Sequence, residues 1–427
     1  MLRNRIFYGW WVLAGIFTSY TALVGVHIYT LSLFYPALMK EFGWSEAAVT
    51  QPATISFLTG AAITAFISAL FDRFSVRVFM ILGATAYVLG LFSFCSLQTL
   101  TQMTAIYVVF AVSQVCAGQV PTMLVVTRWF KRYRGIAIGV TLTATSFGAA
   151  VFPLVVRHSL ATGRWRDAML ILTIVSGVMM LLPLIFVVRS RPENKGLQPD
   201  GDSAQSEIRD VPDPRLLQAG PSLNDALRMP VFYVLAFATG SLWFCMNGIV
   251  QHQAIFMNGE LGVPMDTVPI VVSAIFWFAI AGKLVFGYLS DRFDKILMML
   301  VVVVILIIGL SILRISSADN LFSLYGYAAV FGIGFSGTFA MIQLVIAEFF
   351  SGKSYGKILG VLTTVDVAAG GIGITVIARL KEVFNSYLPV IEMLIGLCCL
   401  VAAMVVFLYK MRRKFVPQTR LSAPSAD

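Results

Sequence analysis

Twelve apolar segments recur along this chain, each long enough to cross the ~30 Å hydrocarbon core of a bilayer as a helix of about 20 residues. The 427 residues are 58% hydrophobic and only 12% charged, whereas a soluble domain has about 25% charged residues. We therefore expect an all-α membrane protein with twelve transmembrane helices. The predicted spans are 8–39, 50–71, 78–97, 104–127, 135–157, 167–188, 230–257, 267–290, 296–315, 320–349, 356–379 and 387–409.

The distribution of Lys and Arg predicts the orientation of these spans. Most of the 31 basic residues fall in loops on one side of the predicted membrane, beginning with Arg3 and Arg5. Cytoplasmic loops are enriched in Lys and Arg, so both termini are predicted to be cytoplasmic. The same bias accounts for the net charge of +10, which therefore does not indicate a nucleic-acid partner. The opposite side holds only Lys40, Arg157, Arg164, Arg166, Arg314, Arg379 and Lys381.

One long hydrophilic stretch, from Arg189 to Arg228, separates the first six spans from the last six. Its mixture of Pro, Gly, Ser and charged residues is typical of a flexible linker. The predicted domains are an N-terminal six-helix bundle (1–188), a cytoplasmic linker (189–229), a C-terminal six-helix bundle (230–410) and a cytoplasmic tail (411–427).

The two halves repeat each other. Asp72 and Arg73 close the second span as Asp291 and Arg292 close the eighth, at a separation of about 220 residues. Two glycines spaced by four open the fifth span and again the eleventh, at the same separation: Gly135, Gly139, Gly356 and Gly360. The repeat predicts two pseudo-symmetric six-helix bundles, with a substrate site near mid-membrane where the repeats meet.

Lys283 is the one basic residue that cannot be placed at a membrane surface. It lies in the middle of the predicted eighth span, between Gly282 and Leu284. An ammonium at that depth costs at least ~2.5 kcal/mol, and charges held there are usually functional. The sequence therefore predicts that Lys283 meets an anion inside the membrane.

The repeated loop resembles that of the major facilitator superfamily, which typically contains Gly-x-x-x-Asp-Arg between helices 2 and 3 and often again between helices 8 and 9. The second copy here, from Gly287 to Arg292, follows this pattern, whereas the first has Ser68 where the opening glycine is usual. The resemblance implies that superfamily's fold and transport by alternating access. It also implies a gating role for Asp72, Arg73, Gly287, Asp291 and Arg292.

Within the superfamily, three stretches resemble the monocarboxylate porters and the bacterial oxalate/formate antiporters: Gly25–Tyr29 with Glu41–Ser45, Arg128–Phe130 with Arg134–Gly139, and Gly282–Gly287. Those families usually have a carboxylate-binding arginine at the place of Lys283. Lysine keeps the charge but loses the planar fork that binds a carboxylate through two hydrogen bonds. The resemblance implies a monomeric carrier of a small organic anion in a bacterial cytoplasmic (inner) membrane.

Asp366 is the acidic residue placed most clearly inside a span, the eleventh. The oxalate/formate group, by resemblance, has a lysine near this place. We predict that Lys283 and Asp366 neutralise each other in the empty site, because either charge alone is costly in lipid. A substrate carboxylate would then take over Lys283 and leave Asp366 to accept a proton, which gives proton-coupled symport. A purely structural ion pair is the alternative.

Polar residues in three other spans are further candidates for substrate binding. His27 lies mid-helix in the first span and either contacts substrate or is a neutral residue bonded to a neighbouring helix. Tyr29 points elsewhere unless that helix is distorted. Asn247 and Gln251 lie at the matching depth of the seventh span, and Gln119 lies in the fourth.

Other functional classes have little support in the sequence. The five cysteines lie within apolar segments, and neither metal-ligand spacing nor a catalytic triad or nucleotide fingerprint is present. We expect no enzyme activity, no metal and no cofactor. Two alternatives remain: import or export of a larger amphipathic or peptide-like compound, for which 33 Phe and 18 Met could line an adaptable cavity, and a sensor built on a transporter scaffold.

Overall fold

The structure is a computed structural model that describes residues 7–71, 73–200, 221–350, 352 and 354–415. Within these residues every regular element is a helix, and the single backbone bridge joins Phe130 to Asp200. Eleven of the described helices are long and apolar enough to cross a membrane. The predicted all-α, multi-pass membrane fold is therefore confirmed. The helix of the predicted second span, Glu46–Leu70, is not among these eleven, although its 25 residues exceed the ~20 that a span needs.

The helices follow the predicted spans, and several spans consist of more than one piece. The α-helices are α1 (Tyr8–Val24), α2 (Tyr35–Phe42), α3 (Glu46–Leu70), α4 (Val76–Phe94), α5 (Leu100–Ala117), α6 (Gln119–Trp129), α7 (Arg134–Ala161), α8 (Trp165–Leu182), α9 (Leu223–Ala226), α10 (Pro230–Ile255), α11 (Val268–Arg292), α12 (Lys295–Ile315), α13 (Leu321–Phe350), α14 (Tyr355–Phe384) and α15 (Leu388–Phe415). The shorter turns are π-helical at Gly25–Thr30, Pro183–Val187 and Phe256–Glu260, and 3-10 at Leu31–Phe34 and Pro192–Lys195.

The first span is interrupted where it crosses α7. A Cβ added to Gly25 would lie 2.6 Å from the backbone of Gly148, so the two backbones touch there and only glycine fits. Close approach through small residues is a common way to pack membrane helices. Immediately after this crossing the chain widens into the π-helical turn Gly25–Thr30. Such turns are rare and frequently occur at functional sites.

The chain forms two compact units. The first unit comprises Met1–Arg209 together with Val250–Trp277 and Ile374–Arg379. Those last two segments come from the second half of the sequence. They are bonded within the first unit by Ser273 Oγ, which donates to the Ala150 carbonyl at 2.5 Å, and by Thr375 Oγ1, which donates to Thr54 Oγ1 at 2.8 Å. The predicted division at residues 188 and 230 stays a prediction.

The second unit comprises Asp210–Ile249, Phe278–Gly373 and Leu380–Asp427. Its helices α10 and α14 lie close together along a face of small residues. A Cβ on Gly373 would lie 2.6 Å from the Phe244 carbonyl oxygen, and one on Gly370 would lie 3.0 Å from the Asn247 amide nitrogen. This contact fixes the two helices side by side at the depth of Asp366.

The first part of the predicted linker is anchored to the first unit. Trp129 Nε1 donates to the Arg189 carbonyl at 2.8 Å, and the backbone N–H of Arg77 donates to Ser190 Oγ at 3.0 Å. At the end of this stretch the Asp200 carboxylate accepts from the N–H groups of Lys131 and Tyr133, at 2.5 and 3.1 Å. The predicted flexible linker continues through 201–220, which lie outside the described residues. The predicted tail begins in α15, and 416–427 likewise lie outside them.

Candidate functional site

His27 lies in the π-helical turn of the first span and is buried. Its Nε2 is 3.1 Å from Ser56 Oγ on α3, which is the bonded arrangement that the sequence allowed as an alternative. Its ring packs among aromatic rings of α4 and α5, with centroids 5.3 Å from Phe110, 6.0 Å from Tyr107 and 6.4 Å from Tyr87. Within the described residues, His27 Nδ1 and the Tyr87 hydroxyl are buried without a hydrogen-bond partner.

Gln251 joins this aromatic cluster from α10. Its Oε1 accepts from the Tyr35 hydroxyl at 3.1 Å, and that hydroxyl lies 3.3 Å from the hydroxyl of Tyr107. Its Nε2 donates to the Ile28 carbonyl at 2.8 Å, within the same π-helical turn that holds His27. His27 and Gln251, which the sequence predicts separately, therefore belong to one buried polar cluster of the first unit.

The sequence predicts that Tyr29 points elsewhere than His27 unless the helix is distorted. The structure has such a distortion, the π-helical turn Gly25–Thr30. The Tyr29 ring nevertheless packs away from the His27 cluster. It lies 4.5 Å from the ring of Phe276 and against the buried Tyr20, Val24 and Ala144. Tyr29 and His27 thus face different neighbours.

Asp366 lies on α14 and is only 2% exposed. Its Oδ1 accepts from the Thr239 hydroxyl of α10 at 2.7 Å. This hydroxyl is a neutral donor held directly against the carboxyl, across the contact of glycines that keeps α10 and α14 together. The resting ion pair of Lys283 and Asp366 stays a prediction.

Lys283 lies on α11 and is half-buried. The next two side chains are far more exposed, Leu284 by 66% and Val285 by 50%. The preceding residue, Gly282, is pressed against Ile333 and Ser336 of α13, where no side chain would fit. The lysine therefore lies on the flank between the packed face and the exposed face of α11, at a depth where a charge is costly.

The remaining candidates do not join these groups. Asn247 is buried in the second unit, and its Nδ2 donates to the Trp243 carbonyl of its own helix at 3.2 Å. Gln119 is exposed and is the first residue of α6. It directly follows Gly118, where the fourth span breaks and where only glycine fits, since a Cβ would collide with the Gln114 carbonyl.

The predicted gating residues lie at the ends of α3 and α11. Asp72 lies outside the described residues, and Arg73 is exposed in the turn that follows α3. Asp291 and Arg292 are the exposed last residues of α11, where the Arg292 guanidinium lies 4.3 Å from the Tyr288 ring centroid. Gly287 is exposed, with open space where a Cβ would stand. Their role stays a prediction.

Sequence reasoning missed the residues that bond to the candidates. Tyr35, Ser56, Tyr107 and Thr239 each provide a hydroxyl to a buried polar side chain. A hydroxyl inside an apolar span is common, and most bond to their own helix. No sequence signal joins these hydroxyls to the candidates, because each bond is made between helices that are far apart in the sequence.

Polar side chains held inside a bundle of apolar, membrane-crossing helices define a membrane transport protein. The comparisons with known proteins give the family. A family model described as Major Facilitator Superfamily matches residues 12–268 and 253–426. The chain belongs to the Major Facilitator Superfamily, and it is a transporter and not an enzyme.

Similar proteins cover most of the chain at low identity. The uncharacterized MFS-type transporter YcxA of Bacillus subtilis is 23% identical over 418 residues, covering 95% of this chain and 97% of YcxA. The fujikurins efflux protein of Gibberella fujikuroi is 23% identical, covering 71% of this chain and 60% of that protein. A solved structure of the nucleoside transporter NupG has the same fold, with a TM-score of 0.71 at 14% identity, covering 94% of this chain and all of that chain (100%).

Proposed function

We propose that this transporter moves a small organic anion of the monocarboxylate type together with a proton, by alternating access. The observation that supports the proposal is Lys283, a half-buried cation on a membrane-crossing helix in the same unit as the buried carboxyl of Asp366. Both side chains are costly in lipid when charged. Ionisable residues inside a membrane-spanning segment are usually functional.

Charge balance couples the two groups whether or not they are in direct contact. In the empty transporter the ammonium of Lys283 and the carboxylate of Asp366 sum to zero charge. When a substrate carboxylate binds Lys283, the sum becomes negative unless Asp366 takes up a proton. In a medium of low dielectric constant, reorientation of the transporter costs the least free energy when its interior carries no net charge. One proton therefore accompanies each monoanion.

His27, Gln251, Asn247, Gln119 and Tyr29 are proposed to contact the rest of the substrate. The buried cluster of His27 and Gln251 supports this role best, since His27 Nδ1 has no hydrogen-bond partner in the part of the chain that the structure describes. We further propose that the protein works as a monomer in a bacterial cytoplasmic membrane with both termini inside. The basic residues of its loops support that orientation.

Uptake of labelled organic acids into proteoliposomes, with and without an acid exterior, tests the proposal. Lys283→Ala should abolish uptake, Lys283→Arg should keep part of it because the charge remains, and Asp366→Asn should make uptake independent of the pH gradient. Lys40→Ala, which removes an exposed cation at a helix end, is the matched control. Normal acid uptake by a correctly inserted Lys283→Ala protein would refute the proposal.

The alternative is transport of a larger amphipathic or peptide-like compound, and the similarity to the fujikurins efflux protein favours it. Under this alternative the apolar lining dominates binding. Lys283→Ala would then leave transport of an amphipathic substrate intact, while the wild-type protein would show no uptake of small acids.

A further inference from the structure

The Thr239 hydroxyl is bonded differently from comparable threonines in this protein. Thr50, Thr141 and Thr338 each donate to the carbonyl four residues earlier in their own helix, at 2.8, 2.8 and 2.9 Å. Such back-bonding is the usual state of a threonine within a helix. Thr239 is also buried within a helix, but it donates across to Asp366 Oδ1 at 2.7 Å. If Thr239 followed the pattern of the other three threonines, its hydroxyl would donate to the Leu235 carbonyl.

The geometry around this bond is fixed by backbone contacts. A Cβ on Gly240, next to Thr239, would lie 3.5 Å from Ala369, and Gly373 of α14 lies against the Phe244 carbonyl of α10. Neither helix can move away from the other without losing these contacts. The hydroxyl and the carboxyl are therefore kept within hydrogen-bonding distance in whatever protonation state the carboxyl has.

The other titratable groups on α10 are directed elsewhere. Cys245 Sγ lies 4.0 Å from the Leu394 carbonyl of α15, and His252 Nε2 lies 2.9 Å from the Ile374 carbonyl. The charged group of the same unit that the proposed transport cycle uses is Lys283 on α11. Thr239 is thus the side chain that directly contacts the proton-accepting carboxyl.

We propose that Thr239 is a positioning residue for Asp366, whose hydroxyl donates to the carboxylate and so stabilises the charged form over the protonated one. This inference rests on the proposed proton-coupled function. It goes further by naming the group that makes release of the proton from a buried carboxyl possible.

The hydrogen atoms balance in both states. With Asp366 charged, the single hydroxyl hydrogen of Thr239 points to Oδ1. When a proton arrives it binds Oδ2, and the Thr239 hydroxyl keeps donating to Oδ1, which is now an uncharged and weaker acceptor. Release of the proton from Oδ2 restores the charge and the stronger hydrogen bond. The cycle gains one proton and loses one.

The test uses Thr239→Val, which removes the hydroxyl and keeps the branched shape, and Thr239→Ser, which keeps the hydroxyl. Hydrogen bonds to charged groups are worth enough to move a titration by about one pH unit. Without the hydroxyl the charged carboxylate is less favoured, so the pH of half-maximal uptake in Thr239→Val should rise by about one unit. The maximal rate should fall because the proton leaves more slowly. The KM for the substrate should stay unchanged, since Lys283 is untouched.

Controls separate this inference from the proposed function. Thr239→Ser should follow the wild-type pH profile, and adding Thr239→Val to Asp366→Asn should change nothing further, because interacting residues are not additive. Thr239→Ala gives the same expectation if the valine variant does not fold. A wild-type pH profile in folded Thr239→Val, or equal defects in the valine and serine variants, overturns the inference alone. If uptake by the wild-type protein does not respond to an acid gradient, both the proposed proton coupling and this inference are refuted.

Discussion

Gln251 of α10 donates from Nε2 to the Ile28 carbonyl at 2.8 Å and so bonds to the π-helical turn of the first span. Through Oε1 it also accepts from Tyr35, the residue at which regular α-helix resumes. The Gln251 side chain therefore bonds to both the π-helical turn and the helix α2 that follows it. The position of His27, which lies in that turn, depends on this attachment.

Replacing Gln251 by leucine should destabilise the folded protein by about 1–2 kcal/mol, because hydrogen bonds between membrane helices average ~0.6 kcal/mol and reach ~1.7. Thermal unfolding in detergent measures the loss. Tyr35→Phe removes one of the two Gln251 bonds and also the contact of the Tyr35 hydroxyl with Tyr107, so it should cost a similar amount. The double variant should lose less than the sum of the single variants, since both act on one bond. Simple additivity would show that the Tyr35–Gln251 contact contributes nothing.

The crossing of Gly25 and Gly148 should tolerate no side chain. Gly25→Ala would put a Cβ 2.6 Å from backbone atoms of Gly148, and overpacking of this kind costs about 1–3 kcal/mol. We expect a lower melting temperature and reduced transport, because His27 lies two residues further on. Gly139→Ala is the matched control: it lies on the same helix as Gly148, with open space at its Cβ. Equal effects of the two substitutions would mean that helix contact at Gly25 is not what limits stability.

The sequence predicted which residues are unusual but not how they are bonded. Apolar length predicted the helices, and the cost of charge in lipid singled out Lys283 and Asp366. Pairing these two followed from their opposite charges. That pairing stays a prediction. The sequence did not predict the neutral hydroxyl of Thr239, which lies against the carboxyl across a contact of glycines. That contact depends on how α10 and α14 face each other, and no periodicity within either helix contains this information.

The breaks within spans were missed for a related reason. The sequence around His27 predicts a continuous helix, whereas the structure has a π-helical turn at Gly25–Thr30. The turn follows a close contact with a residue more than a hundred positions away, Gly148. Helix propensity and apolar pattern are local quantities, so they cannot register it. The break at Gly118 involves a near neighbour in the sequence, since a Cβ there would collide with the Gln114 carbonyl.

Glu41 should stabilise the first unit through two neighbours at the start of α8. Its Oε2 accepts from Trp165 Nε1 at 2.5 Å, and its Oε1 accepts from the Arg166 guanidinium at 2.6 Å. Because the ion pair is partly exposed, Glu41→Gln should cost no more than about 1 kcal/mol. Glu41→Ala also leaves Trp165 without an acceptor and should cost more. Thermal unfolding at low and high salt checks this: the glutamine effect should shrink with salt, and a salt-independent effect would contradict the ion-pair explanation.

Asp200 should hold the start of the linker against the first unit. Its carboxylate accepts from the N–H groups of Lys131 and Tyr133, just before α7 begins at Arg134. Removing such an acceptor at a helix start typically costs about 1 kcal/mol. Asp200→Ala should therefore lower the melting temperature and speed tryptic cleavage after Lys195, which is exposed but lies in the anchored stretch.

Asp225 provides the matched control for Asp200. It caps the four-residue helix α9 by accepting from Ser222, and this hydrogen bond lowers the pKa of the Asp225 carboxyl. Asp225→Ala removes a capping carboxylate of the same kind outside the first unit, so cleavage after Lys195 should not change. If both substitutions speed that cleavage equally, the bond from Asp200 to the start of α7 does not hold residues 189–200 in place. If only Asp200→Ala does so, the anchored part of the linker is an integral part of the first unit.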